Sequence, residues 1–305
     1  MAIAHRLGKD KKLLADKIIE ATLSTIRNRS LTDGGFALYA KEMFRPDATA
    51  WAVLALEAYA GNKDLIIPAC QRLARSQLSD GRVPVIEDYP ESYWPTALAL
   101  LAWKKVSGFE REAESAAQFL LNTTGQLWPR KRDTVFGHDT SIKGWPWIEN
   151  THSWIEPTSM AVLALKACGY AQHERVSEAV RMILDRQLPS GGWNYGNTFV
   201  FRKELPPILE CTGLALCALA GFAEPRDVGL SIDYLKREAT RIRTPLAMSW
   251  SLFGLTAWSN GPLQVRDWIL ESLDLQSKYG AYDTTLLSQL IVAYVKSGDL
   301  LNLLF

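Results

Sequence analysis

The chain has no apolar run approaching the roughly 18 residues that read as a membrane span. Its opening, M-A-I-A-H-R-L-G-K-D-K-K, lacks the apolar core of a secretory signal. A soluble protein is expected. Cysteine is scarce: Cys70, Cys168, Cys211 and Cys217 lie in apolar helical contexts with no C-x-x-C pair, which argues against a disulfide framework or a structural zinc site and fits a reducing cytoplasm. A surplus of charge is missing too. With a formal net charge of +1 and a basic cluster, Arg130-Lys131-Arg132, too short to alter the balance, nucleic acid is not an expected partner.

What the chain does have is apolar content. At 305 residues and 48% hydrophobic it is an ordinary globular sequence, long enough for one large domain or two small ones. Self-similarity decides between them. Six segments align without gaps: D-A-T-A-W-A-V-L-A-L from Asp47, W-P-T-A-L-A-L-L-A-W from Trp94, E-P-T-S-M-A-V-L-A-L from Glu156, E-C-T-G-L-A-L-C-A-L from Glu210, T-P-L-A-M-S-W-S-L-F from Thr244 and D-T-T-L-L-S-Q-L-I-V from Asp283. Each is too hydrophobic to face water on any side, so each reads as an inner helix. Prolines at the second place (Pro95, Pro157, Pro245) mark the first helical residue, which makes the first column the N-cap.

A more amphipathic stretch precedes each segment: Leu13 to Arg29, Leu65 to Gln77, Glu112 to Leu121, Arg175 to Gln187, Asp227 to Glu238 and Val265 to Gln276. These read as outer helices with one wet face. Six outer and six inner helices in alternation are most simply satisfied by an all-α (α/α)6 toroid. A single such domain over residues 1–305 is expected, because closing the ring buries the flanks that an open solenoid exposes.

Three outer-to-inner turns share Q-x-x-x-G-x-large: Gln77/Gly81/Val83, Gln187/Gly191/Trp193 and Gln276/Gly280/Tyr282. The first unit keeps Gly34-Gly35-Phe36. The glycine suits a helix C-cap of positive φ, the glutamine can bond orphan backbone groups of the turn, and the large residue packs beneath it. The third unit departs by a Trp-rich insertion at about 122–153, which carries Trp128, Trp145, Trp147, His138 and His152. A loop of that length reads as a lid or cavity rim at the end where the inner helices begin.

The motif of Gln187, Gly191 and Trp193, with Ala179 eight residues before the glutamine, resembles the QW repeat of squalene-hopene cyclases and related terpene cyclases. The β subunits of protein prenyltransferases share the repeat architecture. The resemblance runs from about Leu13 to Tyr294. It implies an (α/α)6 toroid whose central cavity takes a hydrophobic small molecule, an isoprenoid. Two family signatures are missing. The D-x-D-D cluster that protonates the alkene in cyclases has no counterpart, since Asp283 is followed by Thr284 and Thr285. The prenyltransferase zinc triad is absent because Leu209 stands two before Cys211 and no histidine follows His173. No metal or cofactor is expected.

Candidate chemistry centres on the first column. Asp47, Asp283 and Thr244 suit helix capping, whereas Glu156 and Glu210 are not favoured caps and call for another role as acid or base. Trp94 in the same column can stack on a ligand or stabilise a cation. Trp154, Trp193 and Tyr195 extend the aromatic content, although most aromatics at helical spacing are core. His152 is a candidate acid or base in the insertion, and Arg130, Arg132 and Lys143 are candidates for holding a diphosphate. Three readings stay open: an isoprenoid enzyme of the terpene cyclase or prenyltransferase kind, a non-catalytic toroid binding a lipid or a partner, and a carbohydrate-active (α/α)6 enzyme with paired carboxylates. The C-terminal L-L-N-L-L-F is expected to dock on the domain, a membrane or partner contact being the alternative.

Overall fold

The computed structural model describes residues 2–59, 62–129 and 137–305, with side chains from residue 11 onward. The helices are α1 (Ala2–Arg27), α2 (Pro46–Ala58), α3 (Lys63–Ser76), α4 (Pro95–Lys105), α5 (Glu110–Asn122), α6 (Ile155–Ala167), α7 (Glu174–Asp185), α8 (Leu209–Leu219), α9 (Pro225–Ala239), α10 (Pro245–Ala257), α11 (Val265–Asp274), the short α12 (Gln276–Tyr279), α13 (Thr284–Val295) and α14 (Leu300–Leu304). Between α7 and α8 a two-stranded hairpin, β1 (Phe199–Val200) and β2 (Lys203–Glu204), projects from the loop.

Helices α2, α4, α6, α8, α10 and α13 each pack on the next, and α13 packs on α2, so the inner helices close a ring. The outer helices α3, α5, α7 and α9 each touch the two successive inner helices between which they lie in sequence. This is the (α/α)6 toroid. The inner helices are buried almost all round, as their composition demands. Inside the ring Trp51 of α2 and Trp250 of α10 meet edge to face at 5.8 Å although their helices are not ring neighbours. The terminal α14 docks, burying Leu300, Leu303 and Leu304. No helix among the described residues is long and apolar enough to cross a membrane.

The repeat has a hydrogen-bond logic. In four units a threonine in the first turn of the inner helix accepts the backbone N–H of the turn's large residue through its hydroxyl: Phe36 to Thr49 (2.8 Å), Val83 to Thr96 (3.0 Å), Trp145 to Thr158 (2.9 Å) and Trp193 to Thr212 (2.9 Å). The hydroxyl of Thr212 also donates to Trp193 O at 3.1 Å, whereas that of Thr49 donates to Arg45 O at 2.7 Å. The threonine thus satisfies the N–H of a buried loop residue whose carbonyl, for Phe36, Trp145 and Trp193, accepts a backbone N–H from Arg45, Trp154 and Ile208. Two units recover what the sequence left incomplete. Gly34-Gly35-Phe36 is a full turn, and Trp145, inside the insertion, is the third unit's turn residue, its Nε1 donating to Leu120 O as that of Trp193 donates to Ile183 O.

The turn glycine has a second reason beyond its φ of about 90°. A side chain at Gly34, Gly81 or Gly191 would collide with the backbone carbonyl of Pro68, Ser115 or Leu230, each on the following outer helix. Glycine lets the turn lie directly on its neighbour. The glutamines complete the joint, with Gln77 Nε2 donating to Gly81 O and Glu112 O, and Gln187 Nε2 to Ser231 Oγ. Ring closure uses Arg29, which donates to Leu38 O and Tyr282 O, and Thr284, which donates to Ala37 O.

Candidate functional site

The inner-helix column does not lie where the prolines suggested. Helices α2, α6 and α8 begin at Pro46, Ile155 and Leu209, so Asp47, Glu156 and Glu210 are second helical residues rather than N-caps. Trp94, Thr244 and Asp283 do occupy the cap position, and of these Asp283 caps with its side chain, accepting from Leu286 N at 2.9 Å. Proline is tolerated throughout the first turn because no N–H there has an intrahelical partner. It therefore marks the turn without fixing the residue. The shift matters because a carboxylate at the second position points beside the helix end instead of folding back over it.

All six inner helices contribute to a cavity of about 310 Å³ at this end of the ring. Asp47, Trp94 and Glu156 line it, together with Trp51 and Trp250, the apolar Leu98, Met160, Leu214 and Leu246, and Trp147 from the insertion. Trp147 meets Trp94 edge to face at 5.7 Å. The insertion therefore does form part of the cavity rim.

Two acidic residues in this lining have opposite surroundings. Asp47 is buried and accepts two hydrogen bonds from the guanidinium of Arg45, at 2.9 and 3.0 Å. Glu156 has no ion pair among the described residues. Burial, and then the charge of Glu210, push its carboxyl from the usual 4.5 up to about 7. Asp283 is likewise raised, by burial first and by neighbouring Asp47, although its bond from Leu286 N works the other way. The six-membered column thus holds two acidic pairs, Glu156 with Glu210 and Asp47 with Asp283.

Two residues of this cavity were not singled out from sequence. Gln289 is 3% exposed and Thr285 partly buried; Gln289 Oε1 and Thr285 Oγ1 have no hydrogen-bond partner among the described residues. A glutamine within the otherwise apolar α13 was the available signal. Thr285 aligns with the clamp threonines, but in this unit Thr284 bonds to the neighbouring loop, which frees Thr285 to face the cavity.

Other candidates lie elsewhere. Trp193 is fully buried and bonded to Ile183 O and Thr212, a core residue with no surface in the cavity. Tyr195 is 47% exposed and outside the cavity lining, its carbonyl accepting from Ile155 N. Lys143 pairs with Glu178 of the outer helix α7 at 3.6 Å and so faces the outer layer. Trp154 is the N-cap residue of α6 and packs on His152 with ring centroids 4.1 Å apart. His152 lines a second cavity, with Trp128, His138 and Arg186. Arg130 and Arg132 lie outside the described residues. The thiols of Cys70, Cys211 and Cys217 are buried and free.

The architecture is an (α/α)6 toroid, a fold shared by type II terpene cyclases and by glycoside hydrolases. An arginine-to-alanine variant of the type II terpene cyclase MstE from Scytonema, in complex with its substrate geranylgeranyl dihydroxybenzoate, superposes with a TM-score of 0.64 at 14% identity, covering 93% of this chain and 97% of that one. The ent-copalyl diphosphate synthase of Streptomyces platensis gives 0.54 at 15% identity over 83% of this chain and 50% of that chain. The same fold is shared with a glycoside hydrolase: an inactive variant of the α-1,6-mannanase GH76A of Salegentibacter sp. HEL1_6, in complex with α-1,6-mannotriose, gives 0.61 at 12% identity over 93% and 99%. No family model and no curated protein sequence matches the chain.

Proposed function

We propose that the chain binds an isoprenoid in the central cavity and performs acid–base chemistry on it, with Glu156 as the proton-bearing group. The observation that carries this reading is Glu156 itself, a carboxyl whose ionisation burial pushes up to about 7 in a cavity walled mainly by tryptophan and aliphatic side chains. The cavity is at the small end of the roughly 300–1,000 Å³ range of ligand sites, and an apolar wall suits a hydrocarbon chain rather than a sugar. Likeness to MstE and to the copalyl diphosphate synthase points the same way.

In the step proposed, the Glu156 O–H proton goes to one carbon of a ligand double bond. The π pair forms the new C–H bond, a carbocation is left on the other carbon, and Glu156 is left as a carboxylate. The tryptophan rings are suited to a cation because their faces carry negative potential. Loss of a proton from a carbon next to the cation restores a double bond. Asp47, a carboxylate in the same lining, is placed to receive it. Because no D-x-D-D cluster supplies the proton, the reaction depends on Glu156 alone among the acids lining the cavity.

The carbohydrate reading is prompted by the mannanase likeness and by the Glu156–Glu210 pair. It has less support, since Glu210 is not among the residues lining the cavity.

The test is to incubate the purified protein with geranylgeranyl diphosphate and with geranylgeranyl dihydroxybenzoate, and to look for a cyclised isomer of unchanged mass. Glu156→Gln should bind the same ligand and lose at least 100-fold in turnover, within the roughly 10²–10⁴-fold range of acid–base catalysis. Wild-type turnover should decline as pH rises through about 7. Retained turnover in the variant would overturn Glu156's role, and retained binding without turnover in wild type would leave a lipid-binding toroid. Binding or cleavage of α-1,6-mannotriose in place of either isoprenoid would overturn the reading altogether.

A further inference from the structure

Three arginines are buried among the described residues, and two of them commit most of their donors. Arg29 is bonded to Leu38 O, Tyr282 O and Thr284 Oγ1. Arg175 donates to Thr123 O, Lys143 O and Gly144 O and lies over the ring of Trp145 at 3.7 Å. The third, Arg186, is 4% exposed, as deeply buried as the others. Yet of its five N–H groups it commits one, from Nη1 to Ser153 O at 2.6 Å, and its Nε has no partner. No carboxylate among the described residues lies within ion-pair distance of it.

Arg186 lines a cavity of about 340 Å³, separate in its lining from the central one, together with Trp128, His138, His152 and Asn197. The site is built, not incidental. The loop that covers the guanidinium is tied by Asn194, which accepts from Gly196 N and donates to Asn197 O. At Gly196, with φ of 141°, the loop comes so near the guanidinium that a Cβ would lie 2.9 Å from Arg186 Nη1. His152 packs against Trp154 with the rings inclined at 42°, and the Trp128 ring stands 6.1 Å from His152, inclined at 57°. Burial and the nearby guanidinium lower the pKa of both imidazoles, that of His138 to about 4. Among the described residues lining the cavity, Arg186 is the guanidinium that carries its positive charge.

We propose that this second cavity is a binding site for a small planar organic carboxylate, its anion taken by Arg186 and its ring by Trp128 and His152. A buried guanidinium with unspent donors is a large desolvation cost that a bidentate carboxylate offsets directly. The aromatic walls match a planar ring. Inorganic phosphate would satisfy the charge but leave the aromatic walls unused.

The experiment is calorimetric titration of the full chain with benzoate, with benzamide as the neutral isostere and inorganic phosphate as competitor. Benzoate should bind saturably and raise the melting temperature, with benzamide at least tenfold weaker. Trp128→Ala, at a half-exposed position, should keep the wild-type melting temperature and weaken benzoate about tenfold, the scale of a lost stacking contact. Arg186→Gln should abolish binding; should that variant not fold, Arg186→Lys keeps the charge and should still lose about tenfold by lacking the fork. Glu156→Gln should bind benzoate like wild type, which separates this site from the central cavity. The proposal falls if benzoate shows no saturation up to about 10 mM, if benzamide binds equally, if Trp128→Ala leaves affinity unchanged, or if phosphate displaces benzoate at equal concentration.

Discussion

Replacing Glu156 with glutamine should make the protein more stable at alkaline pH, and by an amount that depends on pH in one direction. A glutamate in an unfolded chain ionises near 4.5, whereas Glu156 in the fold ionises near 7. Below about pH 4.5 the residue is protonated in both states and its ionisation contributes nothing to the balance. As pH rises through the interval, the unfolded chain releases its proton first, so ionisation favours unfolding until the folded carboxyl also titrates. At about 1.4 kcal/mol per unit, the full interval is worth about 3 kcal/mol at pH 8, an upper figure because Glu156 is only partly buried. For a chain of this length that corresponds to about 5 °C in melting temperature. The measurement is a series of thermal melts of wild type and Glu156→Gln from pH 4 to pH 8.5. All other titrations cancel in the difference. The variant should gain on wild type steadily between about pH 4.5 and 7 and then hold its lead. Glu210→Gln should narrow that window from above, because the Glu210 charge is the second cause of the shift. A pH-independent difference, or a wild type that gains on the variant as pH rises, would refute the electrostatic account and with it the protonated state on which the proposed chemistry depends.

Thr212→Val should cost about 1–3 kcal/mol in chemical unfolding, because it removes the acceptor of the buried Trp193 N–H and leaves that group unpaired. Thr285→Val, in the same column but with no bond to lose, should stay within about 0.5 kcal/mol of wild type; equal effects would refute the clamp. Gly213→Ala should destabilise by about 3 kcal/mol or prevent folding, since its Cβ would strike the Trp250 carbonyl where α8 and α10 pack backbone to backbone, with Gly254 on the facing side. A melting temperature unchanged by this substitution would mean that the two helices pack less closely than described.

The repeat was legible because it is written in residue types that have few alternatives. Six apolar segments, their amphipathic partners and a glycine two places before a large residue left little choice but a closed ring. The threonine column was visible as a pattern, but its role was not. A hydroxyl that holds a loop residue 13 positions earlier (Thr49 to Phe36, Thr96 to Val83, Thr158 to Trp145) follows from the separation of the turn and helix, which only the folded chain displays. Trp145 was hidden for the same kind of reason. It sits near the end of a long insertion, and without the glycine spacing of its siblings nothing local marks it as the turn residue. Tryptophan in itself was a poor guide. Trp193, Trp94 and Trp147 look alike in sequence, yet the first is sealed in the core and the other two form the rim.

The acids divide along a line that the sequence drew only in part. Capping preference separated Asp283, which caps, from Glu156 and Glu210, which do not. It misplaced Asp47, a good cap by type, because Arg45 immediately before the helix takes the carboxylate into an ion pair instead. That ion pair is what makes the two sides of the cavity chemically different. An arginine stands two residues before Asp47, where the corresponding residue before Glu156 is Trp154, so one carboxylate has an ion-pair partner and the other has none among the described residues. Arginine against an aromatic at the entry to the inner helix is what separates these two equivalent positions of the repeat.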